Sequence, residues 1–151
     1  YIYSIFVRMK ATPLSLSPLG PPARLPLFSA AVRAGFPSPA DDFVEASLDI
    51  GEHLIKHPSA TFFARAEGDS MTGFGIFNGD LLIVDRALPP QHGDVVIAAI
   101  DGELTCKVLD MHDQLLRSGN VRYPPIELHD NAELLIEGVV IHSVRHHRCS
   151  R

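Results

Sequence analysis

From Pro58 onward the chain is built of short apolar, β-favouring runs separated by turn residues. Thr61-Phe62-Phe63-Ala64-Arg65-Ala66 predicts a strand. Leu81 to Asp85 follows the turn Asn78-Gly79-Asp80 and predicts another. Asp94 to Ile100 and Glu103 to Leu109 flank Asp101-Gly102, a strong two-residue hairpin signal. Gln114 to Arg117 and Leu134 to Val144 are further strand segments. Before Pro58, Ala40 to Ala46 and Ile50 to His57 are each long enough for one or two helical turns. Six or so short strands predict a small, mainly β domain, either a barrel or packed sheets.

The first forty residues have a different character. Seven of the twelve prolines lie within residues 11–40. Proline removes a backbone donor and pushes its preceding neighbour toward extended conformations. This segment therefore predicts an extended, proline-rich N-terminal arm. It carries one short apolar patch, Leu25 to Val32, followed by Arg33-Ala34-Gly35-Phe36-Pro37. A helix-turn-helix DNA reader needs two or three regular helices, and the prolines leave no room for them.

Composition narrows the function classes. The chain has 151 residues, 46% of them hydrophobic and 21% charged, which suits one globular domain. Thirteen Lys and Arg stand against eighteen Asp and Glu, a net charge of −5, and this argues against a protein that coats phosphate backbone. The two cysteines, Cys106 and Cys149, make no disulfide framework and suggest a reducing, cytoplasmic setting. No apolar run approaches the ~18–20 residues that span a bilayer. Arg8 and Lys10 follow the apolar N-terminal stretch instead of preceding it, the wrong order for a secretory signal. The first residue is Tyr1, and Met9 is a candidate start.

Two places in the chain carry candidate chemistry. Gly68-Asp69-Ser70-Met71 follows a strand, with further glycines at 73 and 75 that permit a sharp turn. Such a turn can expose a serine hydroxyl and aim neighbouring amides at one point, as a nucleophile with an oxyanion hole requires. The plainer reading is a serine in a glycine-rich loop. Lys107 lies within Leu104-Thr105-Cys106-Lys107-Val108-Leu109. Lysine is rare inside an apolar strand unless it guards an edge or has a task. Free lysine, with a pKa of ~10.4, is a poor base near neutrality, but burial disfavours the ammonium and lowers that value. A neutral Lys107 could take the Ser70 proton. Cys106 should point to the opposite face of its strand and serve as a small core residue. Asp69 and Asp85 fit turn-capping roles. His142, His146, His147 and Cys149 match no closed zinc pattern and read as a solvated tail, so neither metal nor cofactor is expected.

Taken together, these segments resemble a known family. Phe36-Pro37-Ser38-Pro39-Ala40-Asp41-Asp42-Phe43-Val44-Glu45, His57-Pro58-Ser59-Ala60-Thr61, Gly68-Asp69-Ser70-Met71, Asn78-Gly79-Asp80-Leu81-Leu82-Ile83-Val84-Asp85 and His92-Gly93-Asp94-Val95-Val96-Ile97-Ala98-Ala99-Ile100-Asp101-Gly102-Glu103 are similar, in order and spacing, to UmuD-like members of the LexA/UmuD family of self-cleaving Ser-Lys peptidases. The resemblance runs from about Leu25 to Val144. It implies a twisted, LexA-like β-clip fold and a homodimer. It implies Ser70 as nucleophile, Lys107 as base and Ala34-Gly35 as the cleavage site, with residues 1–34 the removable arm and 35–151 the peptidase domain. Ala34 stands where UmuD-like members carry cysteine, but alanine-glycine is the usual pair in LexA-type repressors. Thr72-Gly73-Phe74 departs from the family's loop. The amides of Asp69 and Ser70 are the expected oxyanion donors. The resemblance further implies cleavage stimulated by RecA on single-stranded DNA, and a processed product that joins a UmuC-like translesion polymerase subunit in the SOS response. Neither sequence-specific DNA binding nor a membrane is expected. The rival readings are a non-catalytic β scaffold, a signal-peptidase-like enzyme, which should carry a membrane anchor, and a LexA-type repressor, which the proline-rich arm argues against.

Overall fold

A computed structural model describes residues 24–28, 44–128 and 134–148. The cleavage pair Ala34-Gly35 and Cys149 lie outside these residues. The described residues fall into two compact units that part between Lys56 and His57.

In the first unit, β1 (Arg24–Phe28) pairs antiparallel with β2 (Val44–Asp49), Leu25 opposite Leu48 and Pro26 opposite Ser47. Proline is tolerated in such a two-stranded ribbon because it has a free edge. The register shifts between Leu27 and Phe28. A short helix, α1 (Ile50–Leu54), follows, its start capped by Asp49, whose carboxylate accepts from the Glu52 N–H at 3.1 Å. Of the helical turn expected over Ala40 to Ala46, residues 40–43 lie outside the described residues, and Val44, Glu45 and Ala46 belong to β2 instead. An isolated turn has an unfavourable nucleus, whereas pairing with β1 supplies ladder hydrogen bonds at once. The helix expected over Ile50 to His57 forms but stops at Leu54, with Ile55 already extended.

The second unit is one antiparallel sheet with strand order β3-β4-β9-β5-β6-β7-β8. Its strands are β3 (Thr61–Arg65), β4 (Leu81–Asp85), β5 (Val95–Ile100), β6 (Glu103–Asp110), β7 (Leu115–Arg117), β8 (Ile126–Glu127) and β9 (Leu134–Val144). The mainly β expectation holds, and the predicted strands from Thr61 onward appear within a residue or two. β8 carried no sequence signal. The β5–β6 hairpin turns on Asp101 and Gly102, both at positive φ (49° and 86°), the backbone that a tight two-residue turn demands.

The longest strand, β9, joins the two halves by pairing with both β4 and β5. Its register slips opposite Ile83/Val84 and again opposite Ile97/Ala98. Such bulges increase local twist and let a sheet curl. Alternate residues of the same strands then feed two cores. Leu82, Val84, Ile97 and Val108 join Met71 and Ile76 in one. Val96, Ala98, Leu109, Leu116 and Val139 form the other. Burial on both faces explains why these strands read as continuous apolar runs.

Candidate active site

The loop that carries Ser70 is fastened at both ends. The Ala66 N–H donates to the Asp80 carbonyl (2.9 Å) and the Gly79 N–H to the Ala66 carbonyl (2.8 Å). The Gly68 N–H donates to Asn78 Oδ1 at 2.9 Å, and Gly68 itself turns at φ 82°, a conformation that favours glycine. Met71, 4% exposed, plugs into the first core and holds its neighbour Ser70 at the surface of that core. Arg145 grips the far side: its guanidinium donates to Asp80 and to the Gly75 carbonyl (2.6 Å) and lies 3.8 Å from the centre of the Phe77 ring. Asp80, 2% exposed, is held below the usual carboxylate range by the Arg145 hydrogen bonds.

Lys107 sits on β6, directly opposite Val96 of β5. β6 lies between β5 and β7, so the lysine is not on an outer strand, although β7 pairs only with Val108 to Asp110 and stops one residue short of it. It is 7% exposed. Its Nζ lies 3.1 Å from Ser70 Oγ and 3.0 Å from the Cys106 carbonyl oxygen, to which it donates. Burial holds the amine below the usual lysine range, partly opposed by the nearby Cys106 thiol. Thus two residues 37 positions apart in sequence come within hydrogen-bond reach.

The remaining candidates take other places. Cys106 packs against the first core, and burial pushes its thiol up to about 11, which leaves little thiolate at neutral pH. Asp85, 1% exposed, accepts from the Ala87 N–H (2.7 Å), an ordinary turn cap, and also faces His57 Nδ1 at 2.6 Å. The His57 hydrogen bond lowers its pKa. His142, His146 and His147 are exposed. Among the described residues no group of three or more His, Cys, Asp or Glu side chains is placed to hold a metal ion. Nor, among them, is any helix long and apolar enough to cross a membrane.

Sequence reasoning missed one group of residues beside Ser70. The β7–β8 connection brings Gly119, Asn120 and Tyr123 against the loop. The Gly73 N–H donates to the Gly119 carbonyl (2.9 Å), Asn120 Nδ2 to the Asp69 carbonyl (3.2 Å) and the Tyr123 hydroxyl to the Asp69 carboxylate. That last bond raises the Tyr123 pKa, because the phenol must keep its proton to donate it. Ser118-Gly119-Asn120 reads locally as a polar turn, so nothing in its own residues pointed to Ser70.

Comparison with known proteins fixes the ancestry. The profile of the Peptidase S24-like family matches residues 26–141. The chain belongs to that family. ImpA of Salmonella typhimurium is 60% identical over 84 residues, which cover 56% of this chain and 58% of ImpA. SamA of Salmonella typhimurium strain LT2 is 47% identical over 124 residues, 80% of this chain and 86% of SamA. MucA of Escherichia coli is 39% identical over 125 residues, 82% of this chain and 86% of MucA. The UmuD-like resemblance of the sequence motifs is thereby borne out, and the match to the family extends across Ser70 and Lys107.

Proposed function

We propose that this protein is a self-cleaving serine peptidase of the SOS response, and that it cuts its own arm between Ala34 and Gly35. The observation that carries this reading is the 3.1 Å approach of a buried lysine amine to Ser70 Oγ. An ammonium can only donate, so it cannot serve as base. An amine that has lost its proton can accept one from the hydroxyl at the same distance, and the burial of Lys107 favours that form.

The steps follow from those two groups. Ser70 Oγ attacks the Ala34 carbonyl carbon as its proton passes to Lys107 Nζ. The carbonyl oxygen takes up negative charge, facing the amides of Asp69 and Ser70. The Ala34–Gly35 C–N bond then breaks, and Lys107 returns the proton to the departing Gly35 amine. Water, deprotonated by the same lysine, hydrolyses the ester between Ala34 and Ser70. A tethered substrate needs little affinity, because attachment gives it a high effective concentration.

The family resemblance and the kinship with ImpA, SamA and MucA support a wider role. In that role RecA on single-stranded DNA favours the state in which the arm occupies the site, a shift of population that supplies no reacting group. Residues 35–151 then act in the cytoplasm as a homodimer, the accessory subunit of a UmuC-like translesion polymerase. The test is direct. Purified protein held at alkaline pH should yield a 35–151 fragment by intact mass, and Ser70→Ala and Lys107→Ala should yield none. The same fragment from either variant would refute the dyad.

A further inference from the structure

Three donors converge on one backbone oxygen beside the nucleophile. The Asp69 carbonyl accepts from the Thr72 N–H at 3.3 Å, from Thr72 Oγ1 at 3.1 Å and from Asn120 Nδ2 at 3.2 Å. That carbonyl shares its peptide plane with the Ser70 N–H. In a trans peptide the two point in opposite directions, and no described peptide is cis. Fixing the oxygen therefore fixes the direction of the Ser70 amide, one of the two donors assigned above to the oxyanion.

Asn120 is well placed to do the fixing, because it is itself held. Its Oδ1 accepts from the Arg122 N–H at 3.1 Å, and its own carbonyl accepts from the Tyr123 N–H at 3.0 Å. The two ends of its side-chain amide are not interchangeable here, since one faces acceptors and the other a donor. Nδ2 also lies 3.4 Å from Asp69 Oδ2, while the Tyr123 hydroxyl donates to Asp69 Oδ1. On the far side of Ser70, the Gly73 N–H donates to the Gly119 carbonyl. The β7–β8 connection thus holds the loop both before and after the serine.

We propose that Asn120 is a positioning residue that, together with the Thr72 hydroxyl, aims the Ser70 amide at the developing oxyanion. This rests on the peptidase reading above. Neither side chain touches the reacting atoms; each acts through the Asp69–Ser70 peptide. Removing an oxyanion donor outright slows acyl transfer ~10²–10³-fold, so loosening its mount by one of three bonds is expected to cost about tenfold.

The experiment compares self-cleavage rates across pH for wild type, Asn120→Ala and Thr72→Val, with melting temperatures measured alongside. Thr72→Val keeps shape and removes the second clamp, and it carries the test if an Asn120 variant fails to fold. The expected result is a rate about tenfold lower in each folded variant at an unchanged pH midpoint. A boronic acid analogue of the Ala34 side of the arm, which forms a charged tetrahedral adduct on serine, should lose affinity by a similar factor. Folded variants that cleave within twofold of wild type overturn the assignment, and so does a rate loss that moves the pH midpoint, because it places the effect on Lys107. A wild-type protein that yields no fragment sinks the peptidase reading instead.

Discussion

Gly73 and Gly119 cross so closely that one added carbon should be felt in both stability and chemistry. A Cβ on Gly73 would sit 2.1 Å from the Gly119 carbonyl oxygen. Carbon and oxygen approach comfortably only to about 3.3 Å, so the two loop segments that cross here must part by about 1.2 Å. The partner atom is backbone and cannot swing aside as a flexible side chain would. Separation on that scale also stretches the 2.9 Å hydrogen bond from the Gly73 N–H to the same oxygen beyond use. Crowding of this kind costs about 1–3 kcal/mol and the lost bond about 1 kcal/mol more. Gly73→Ala should therefore be destabilised by roughly 2–4 kcal/mol, a drop of about 10 °C or more in the melting temperature of a unit this size. Because the displaced segment begins three residues after Ser70, self-cleavage should fall further than stability does, by about 100-fold for a shift near 1 Å. Thermal unfolding by circular dichroism measures the first quantity, and fragment accumulation well below the melting point measures the second. A Gly73→Ala protein that melts within about 2 °C of wild type and cleaves at the same rate would refute the reasoning.

Other perturbations probe other parts of the molecule. Lys107 is held below the usual lysine range, so cleavage should rise with pH through a midpoint below ~10.4 and then level off. The same depression means that the folded state binds this proton more weakly than the unfolded state; wild-type stability relative to Lys107→Met should therefore climb as pH rises from the folded value toward ~10.4, as denaturant titrations at several pH values would report. Asp110 is held at about 2 by the N–H groups of Asp113 and His112 and by the Arg117 guanidinium. Its contribution is complete above ~3.9 and is lost as pH falls through about 2, so Asp110→Asn should flatten the acid limb of the stability profile. Arg145→Ala strands the buried Asp80 carboxylate and should lower the melting temperature. Arg24→Ala, whose ion pair with Glu52 is exposed at both ends, should leave it unchanged.

Much of the second unit is legible in the sequence because its signals are local. Turn residues bracket each run from Thr61 to Val144, and the positive φ angles at Asp101 and Gly102 are written in their residue types. Lys107 stood out because an apolar strand has no ordinary use for a cation. Ser70 stood out through its glycines. What escaped has no local mark. Val44 to Ala46 lie in a strand only because a distant segment pairs with them. Asn120 and Tyr123 look like common turn residues, and only the curled sheet carries them back to a loop some fifty positions earlier. Arg145, near the far end of the chain, gives no hint that it ties down Gly75 and Asp80.

The clamps on the serine loop also impose an order in time. The chain is made from its N-terminus, so the arm and Ser70 emerge well before Lys107, Asn120 and Arg145. A growing chain that stops short of Arg145 lacks the guanidinium that ties Gly75 and Asp80, and one that stops short of Asn120 has an unanchored Asp69–Ser70 peptide. On the peptidase reading proposed above, the arm is thereby spared until Asn120 and Arg145 have both emerged. Ribosome-bound fragments of increasing length should stay whole up to that point.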